Sequence, residues 1–139
     1  MDTTAVSPRL SPLVRTGVLA TLVAVVVNTL AAGLALALGV DFELPDGGES
    51  IPLPGFAMMT GIFSLIGVAL AAGLARWSPR PAAHFLGTTV VLTAISLVPP
   101  FLVNGNAGTV IALIALHLIP AAVMIPVLTR SLRVFPARR

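Results

Sequence analysis

No Asp, Glu, Lys or Arg interrupts residues 16–40, 50–75 or 81–129, so charge divides the chain into three long neutral runs. This pattern excludes an ordinary soluble domain. Such domains carry about a quarter of their residues as charged side chains. Here the share is 9%, with 57% hydrophobic residues and a mean hydropathy of +1.04 over 139 positions. A helix needs about 20 apolar residues to cross about 30 Å of hydrocarbon. The first two runs therefore hold one span each, and the third, 49 residues long, holds two and a turn. Pro99, Pro100, Asn104, Gly105, Asn106 and Gly108 supply that turn, because these residue types end helices or accept turn geometry. The expected fold is an all-α integral membrane four-helix bundle over residues 16–128, with spans at about 16–38, 55–75, 84–103 and 108–128. An N-terminal segment, 1–15, and a basic tail, 129–139, flank it.

The connecting segments predict an orientation. Arg9 and Arg15 precede the first span, Arg76 and Arg80 separate the second from the third, and Arg130, Arg133, Arg138 and Arg139 follow the fourth. With four crossings all eight Arg fall on one side, giving +7 there after Asp2 is subtracted. Asp41, Glu43, Asp46 and Glu49 put −4 on the other. Short Arg-rich segments stay cytoplasmic, so both termini are expected inside. Trp77, beside Arg76, falls where an interfacial aromatic anchor belongs. Arg76, Arg80, Arg130, Arg133, Arg138 and Arg139 are candidates for contact with anionic lipids at the inner face, at about 1 kcal/mol of attraction for each Arg of the tail; the alternative is that the tail Arg serve only to fix topology. Residues 1–40 have the outline of a secretory signal, with Ala35-Leu36-Ala37 as a cleavage-type tripeptide. The apolar stretch outruns a signal core and three spans follow it, so it reads as a retained anchor.

Within lipid, association depends on close packing through small residues. Gly33 with Ala37, Gly67 with Ala71, and Ala69 with Gly73 stand at i,i+4. They read as contacts within the chain or, on the second helix, as a homodimer seam. The acidic segment from Asp41 to Pro54 contains Pro45-Asp46-Gly47-Gly48, a turn signal that predicts a small exposed hairpin. Its spacing does not fit an EF-hand, so no metal is expected there.

Counting inward from the span ends, one polar side chain lies near the middle of each helix: Asn28, Ser64, Thr93 and His117. Buried polar groups in a membrane need partners and are functional candidates. Asn28 and His117 each bring a donor and an acceptor, and a bond between them would tie the first helix to the fourth. Pro120 removes the bond to the Leu116 carbonyl beside His117, and Pro126 repeats this at Ala122, so both are expected to kink the last helix. The group reads as a structural polar lock or as a site handling a proton, ion or ligand. His84 lies at the inner interface, about 13 Å in depth from a mid-span His117. The two are poorly placed as paired haem ligands, and no cofactor is expected.

The segment from Leu116 to Leu128 (LHLIPAAVMIPVL), with Asn28 in the first helix and Leu44-Pro45 in the outward loop, resembles a family of small uncharacterised four-helix membrane proteins found mainly in actinobacteria. The resemblance implies the fold and a bacterial inner membrane and supplies no activity. Small multidrug exporters carry an acidic residue in the first helix, and residues 16–40 have none. There is no Cys for quinone-linked thiol chemistry and no carboxylate inside the spans for a hydrolytic site. Nucleic-acid binding lacks a basic stripe. The expectation is a non-catalytic component packing against itself or another membrane protein. The alternative is a small oligomeric carrier or channel working through His117.

Overall fold

The computed structural model describes residues 7–43 and 49–135. These residues form α1 (Ser7–Ala37), α2 (Leu53–Trp77), α3 (Pro81–Ser96), a single turn α4 (Val98–Leu102) and α5 (Ala107–Leu132). α3 and α4 act as one apolar segment. Four helical segments are long and apolar enough to cross a membrane: Leu10–Ala37, Leu53–Trp77, Pro81–Leu102 and Ala107–Leu132. They run past several of the charges that bound the neutral runs. Arg15 lies on the exposed side of α1, and Arg130 in the last turn of α5. An Arg near a span end buries its stem and extends its head towards water, so charge marks the end of hydrocarbon rather than the end of helix.

Proline starts the helices more often than it ends them. Pro54 and Pro81 occupy the first two positions of α2 and α3, where the missing N–H would have had no partner. Pro99 does the same for α4 after a one-residue break at Leu97, so the Pro pair lies within the third span instead of closing it. The connection to α5 is only Val103 to Asn106, and Gly108 already lies within the helix. Asn106 caps α5, its side-chain oxygen accepting from the Thr109 N–H at 2.9 Å.

Successive spans alternate in direction. One core joins Leu13, Ala20 and Ala24 of α1 to Val68, Ala71 and Ala75 of α2, Phe85 of α3, and Met124, Leu128 and Leu132 of α5. That end therefore gathers the start of α1, the end of α2, the start of α3 and the end of α5, together with Arg15, Arg76, Arg80, Arg130 and Arg133. A second core joins Ala32, Phe42, Leu113 and Leu116, at the end that carries Asp41, Glu43 and Glu49. Around the bundle α1 packs against α2 and α5, and α3 against the same two; α2 meets α5 across the middle, while the backbones of α1 and α3 stay more than 8 Å apart, Cα to Cα.

Among the described glycines the closest approach is at Gly17. A Cβ there would stand 2.7 Å and 2.9 Å from the two γ-carbons of Val68 and 3.3 Å from Leu128 Cδ2. The absence of a side chain lets α1 meet α2 and α5 together. By contrast Gly67 has nothing within 4 Å of such a Cβ, and Gly33 meets only Leu53 Cδ2 at 4.0 Å. Of the expected small-residue pairs, Ala71 is the member that is completely buried.

The acidic connection folds back on the bundle. Glu43 and Ser50 form an antiparallel bridge, and Ile51 N donates to Phe42 O at 3.3 Å, in keeping with a short hairpin. Its expected turn, Pro45 to Gly48, lies outside the described residues, as do Arg138 and Arg139. Phe42 is fully buried with its ring 4.9 Å from that of Phe56, at a backbone φ of 51°. A bulky residue in the left-handed region costs about 1–2 kcal/mol, a cost that packing of the ring offsets. Asp41 ties the same corner to α5, accepting from Thr109 Oγ1 at 3.0 Å.

Candidate functional site

Buried positions on α1 recur every three or four residues: Leu13, Gly17, Ala20, Thr21, Ala24, Asn28 and Ala32. This is the spacing of one helical face. On α2 the matching face is Thr60, Ser64, Val68, Ala71 and Ala75. The contacts set an antiparallel register, with Gly17 against Val68, Val25 against Gly61 and Asn28 against Thr60. Ser64 consequently falls at the level of Thr21 and Ala24.

Two polar levels result. At the first, Asn28 Nδ2 donates to Thr60 Oγ1 at 2.8 Å, with both residues buried. At the second, the buried Thr21 hydroxyl donates to the Gly17 carbonyl at 2.8 Å and lies 4.0 Å from Met124 Sδ on α5. Asn28 Oδ1, Ser64 Oγ, Thr29 Oγ1 and Thr129 Oγ1 are buried without a partner. Unpaired acceptors and hydroxyls in a low-dielectric interior are costly, so the α1–α2 seam holds unfilled hydrogen-bonding capacity as well as a lock.

The expected bond between Asn28 and His117 does not form. His117 Nδ1 lies 2.6 Å from the Leu113 carbonyl, one turn earlier in its own helix. A carbonyl only accepts, so Nδ1 carries the hydrogen and Nε2 is left as the acceptor. The Leu116 carbonyl freed by Pro120 is not the one His117 uses; that turn reaches back to Leu113. Pro120 and Pro126 both lie inside α5, which continues through them to Leu132.

Nor do the four mid-depth groups converge. Thr93 is half-buried on α3, whose backbone stays more than 8 Å from that of α1, and the Thr93 carbonyl accepts from Ser96 Oγ at 2.7 Å. Ser64 stays on the α1–α2 seam, whereas His117 is half-buried on α5. The physical reason is register: α1 starts before the first neutral run does, so Asn28 sits nearer the acidic end than a midpoint count suggests. Its level is that of Thr60, one turn from Ser64. Thr60 escapes sequence reading because a lone Thr in an apolar helix commonly bonds its own backbone.

At the basic end, Ser78 is buried and its hydroxyl oxygen lies 2.6 Å from His84 Nδ1 while accepting from the Arg80 N–H at 3.3 Å. Arg76 Cζ lies 5.8 Å from the centre of the Trp77 ring, a cation–π distance. Arg130 and Arg133 are exposed at the same end.

No curated protein and no solved structure matches the chain. A family of unknown function, DUF6069, matches residues 8–134, a stretch that contains all four apolar spans and both polar levels of the seam. On that match, over nearly its whole length, the chain belongs to the DUF6069 family.

Proposed function

We propose that this protein is a non-catalytic component of a bacterial plasma membrane, with both termini cytoplasmic, acting by packing against itself or another membrane protein. The Asn28–Thr60 hydrogen bond carries the reading: the best-placed polar pair in the interior joins two helices instead of lining a cavity. Hydrogen bonds of this kind contribute about 0.6–2 kcal/mol in a bilayer. The five Arg gathered at one end and the acidic residues at the other support the orientation. In it, Arg76, Arg80, Arg130 and Arg133, with Arg138 and Arg139 of the tail, lie at the inner leaflet beside anionic lipids.

The chain has no Cys, so single cysteines report topology cleanly. Glu49→Cys is labelled from outside by a membrane-impermeant maleimide in intact cells, whereas Thr3→Cys and Arg138→Cys are labelled only after lysis. External labelling of the terminal cysteines overturns the orientation.

A second reading, a small oligomeric carrier or channel, draws on the unpartnered Asn28 Oδ1 and Ser64 Oγ and on a His117 whose Nε2 is left as an acceptor. It requires a pH-dependent flux into proteoliposomes that His117→Gln abolishes while helical content persists. Flux that is absent, or unchanged in that variant, sustains the packing reading.

A further inference from the structure

Where α2 ends and α3 begins, the surface carries a shallow, open groove of about 560 Å³ that has no part in the seam. We propose that it holds one anionic phospholipid, with an acyl chain along α2 and the phosphate at Arg80 and His84. The proposal rests on the bilayer reading above and adds a defined site to it.

Ala69 and Gly73 form a floor of small residues, and Leu74 extends it. From Ala69 to Trp77 the track is about 12 Å long at 1.5 Å per residue. Trp77 folds back over this floor: a Cβ at Gly73 would lie 3.4 Å from its Cζ3, yet the residue is 77% exposed. The ring thus forms a wall with one face open to lipid, at the depth where an interfacial Trp is favoured.

The mouth is different in chemistry. Ser78 and His84 line it, and Arg80 follows directly on the lining residue Pro79. Ser78 Oγ accepts the Arg80 N–H and is hydrogen-bonded to His84 Nδ1. With Ser78 donating in that second bond, His84 Nε2 carries the hydrogen and is a donor with no protein partner among the described residues. Arg76, stacked near the Trp77 ring, and Arg80, next in the chain after the lining residue Pro79, are both exposed and add positive charge beside the mouth. Among the described residues no carboxylate lies at this end of the bundle. An apolar track ending beside two cations complements an anionic phospholipid; a zwitterionic one would bring a second cation against the Arg pair.

The test is native mass spectrometry of the full chain ejected from nanodiscs made of equal parts phosphatidylglycerol and phosphatidylcholine. The wild type is expected to keep one phosphatidylglycerol per chain under activation that strips phosphatidylcholine. Arg80→Gln lowers that retention about fivefold, the equivalent of about 1 kcal/mol for one basic residue near an anionic surface. Ala69→Phe fills the exposed floor and lowers it at least as far. Arg15→Gln removes the same charge at the same end, on a helix whose backbone stays more than 8 Å from that of α3, and leaves retention unchanged. Equal retention of the two lipids by the wild type overturns the site, and so does an Arg15→Gln loss matching that of Arg80→Gln. Failure of the bilayer reading is separately visible, as a chain that does not enter the nanodiscs at all.

Discussion

From Gly17 to Ala32 the buried face of α1 is Gly17, Ala20, Thr21, Ala24, Asn28 and Ala32, and it meets an α2 face that includes Thr60, Ser64 and Ala71. α3 is built differently. It is buried only at Pro81 and Phe85, near one end, and leaves Val90, Val91, Leu92 and Ile95 exposed. Both helices are apolar enough to cross a membrane, yet one pair of neighbours is close and polar while the other is loose. In lipid an exposed Leu or Val carries no penalty, so burying more of α3 would bring little hydrophobic gain. What separates the two regions is side-chain size at the contact: small residues let backbones approach and make short polar bonds reachable. α3 makes its buried contact through Pro81 and Phe85 at one end and leaves its large aliphatic residues to lipid or to a partner.

The sharpest way to break this contrast is to thicken the seam. Gly17→Leu is expected to cost about 3 kcal/mol, the upper part of the range for overpacking, because its Cβ alone would stand 2.7 Å from Val68. Unfolding by steric trapping in bicelles checks this; a cost below about 0.5 kcal/mol, the range of an uninvolved surface site, means that the helices do not meet there. Next in size is Asn28→Ala. It removes the bond to Thr60 and is expected to cost about 1–2 kcal/mol in the same assay.

A smaller effect is expected away from the α1–α2 seam. His117→Leu gives up one contact within its own helix and should cost about 0.6 kcal/mol or less. A loss as large as that of Asn28→Ala would bring His117 into the lock after all. The smallest belongs to Gly67→Ala, which meets nothing within 4 Å and is expected within about 0.5 kcal/mol of wild type. Analytical ultracentrifugation sharpens that case: unchanged stability with a weakened dimer would mark the outer face of α2 as a seam between copies.

The spans and their alternation were legible in the sequence because bilayer thickness and charge placement each leave a direct trace in it. Register was not. Nothing in the spacing of Asn28, Ser64, Thr93 and His117 says that α1 begins ahead of its neutral run or that the backbones of α1 and α3 stay apart. Both facts decide which polar groups can meet. Glycines show the same limit: Gly17 and Gly67 both stand in apolar helices, and only the neighbouring helix makes one of them indispensable. Phe42 was illegible for another reason. Its left-handed backbone is paid for by a buried ring contact with Phe56, which no local pattern around residues 41–43 reveals.

The interior polar groups lock α1 to α2 and do not build a site around His117. Two double-mutant cycles in one bicelle system, Asn28→Ala with Thr60→Val and Asn28→Ala with His117→Leu, test it most directly. The first cycle is expected to give a coupling of about 0.6–1.7 kcal/mol, from the average to the maximum for interhelical hydrogen bonds in a membrane. The second is expected near zero, within the roughly 0.3–0.5 kcal/mol that independent sites show. Coupling between Asn28 and His117, with none between Asn28 and Thr60, would contradict the account.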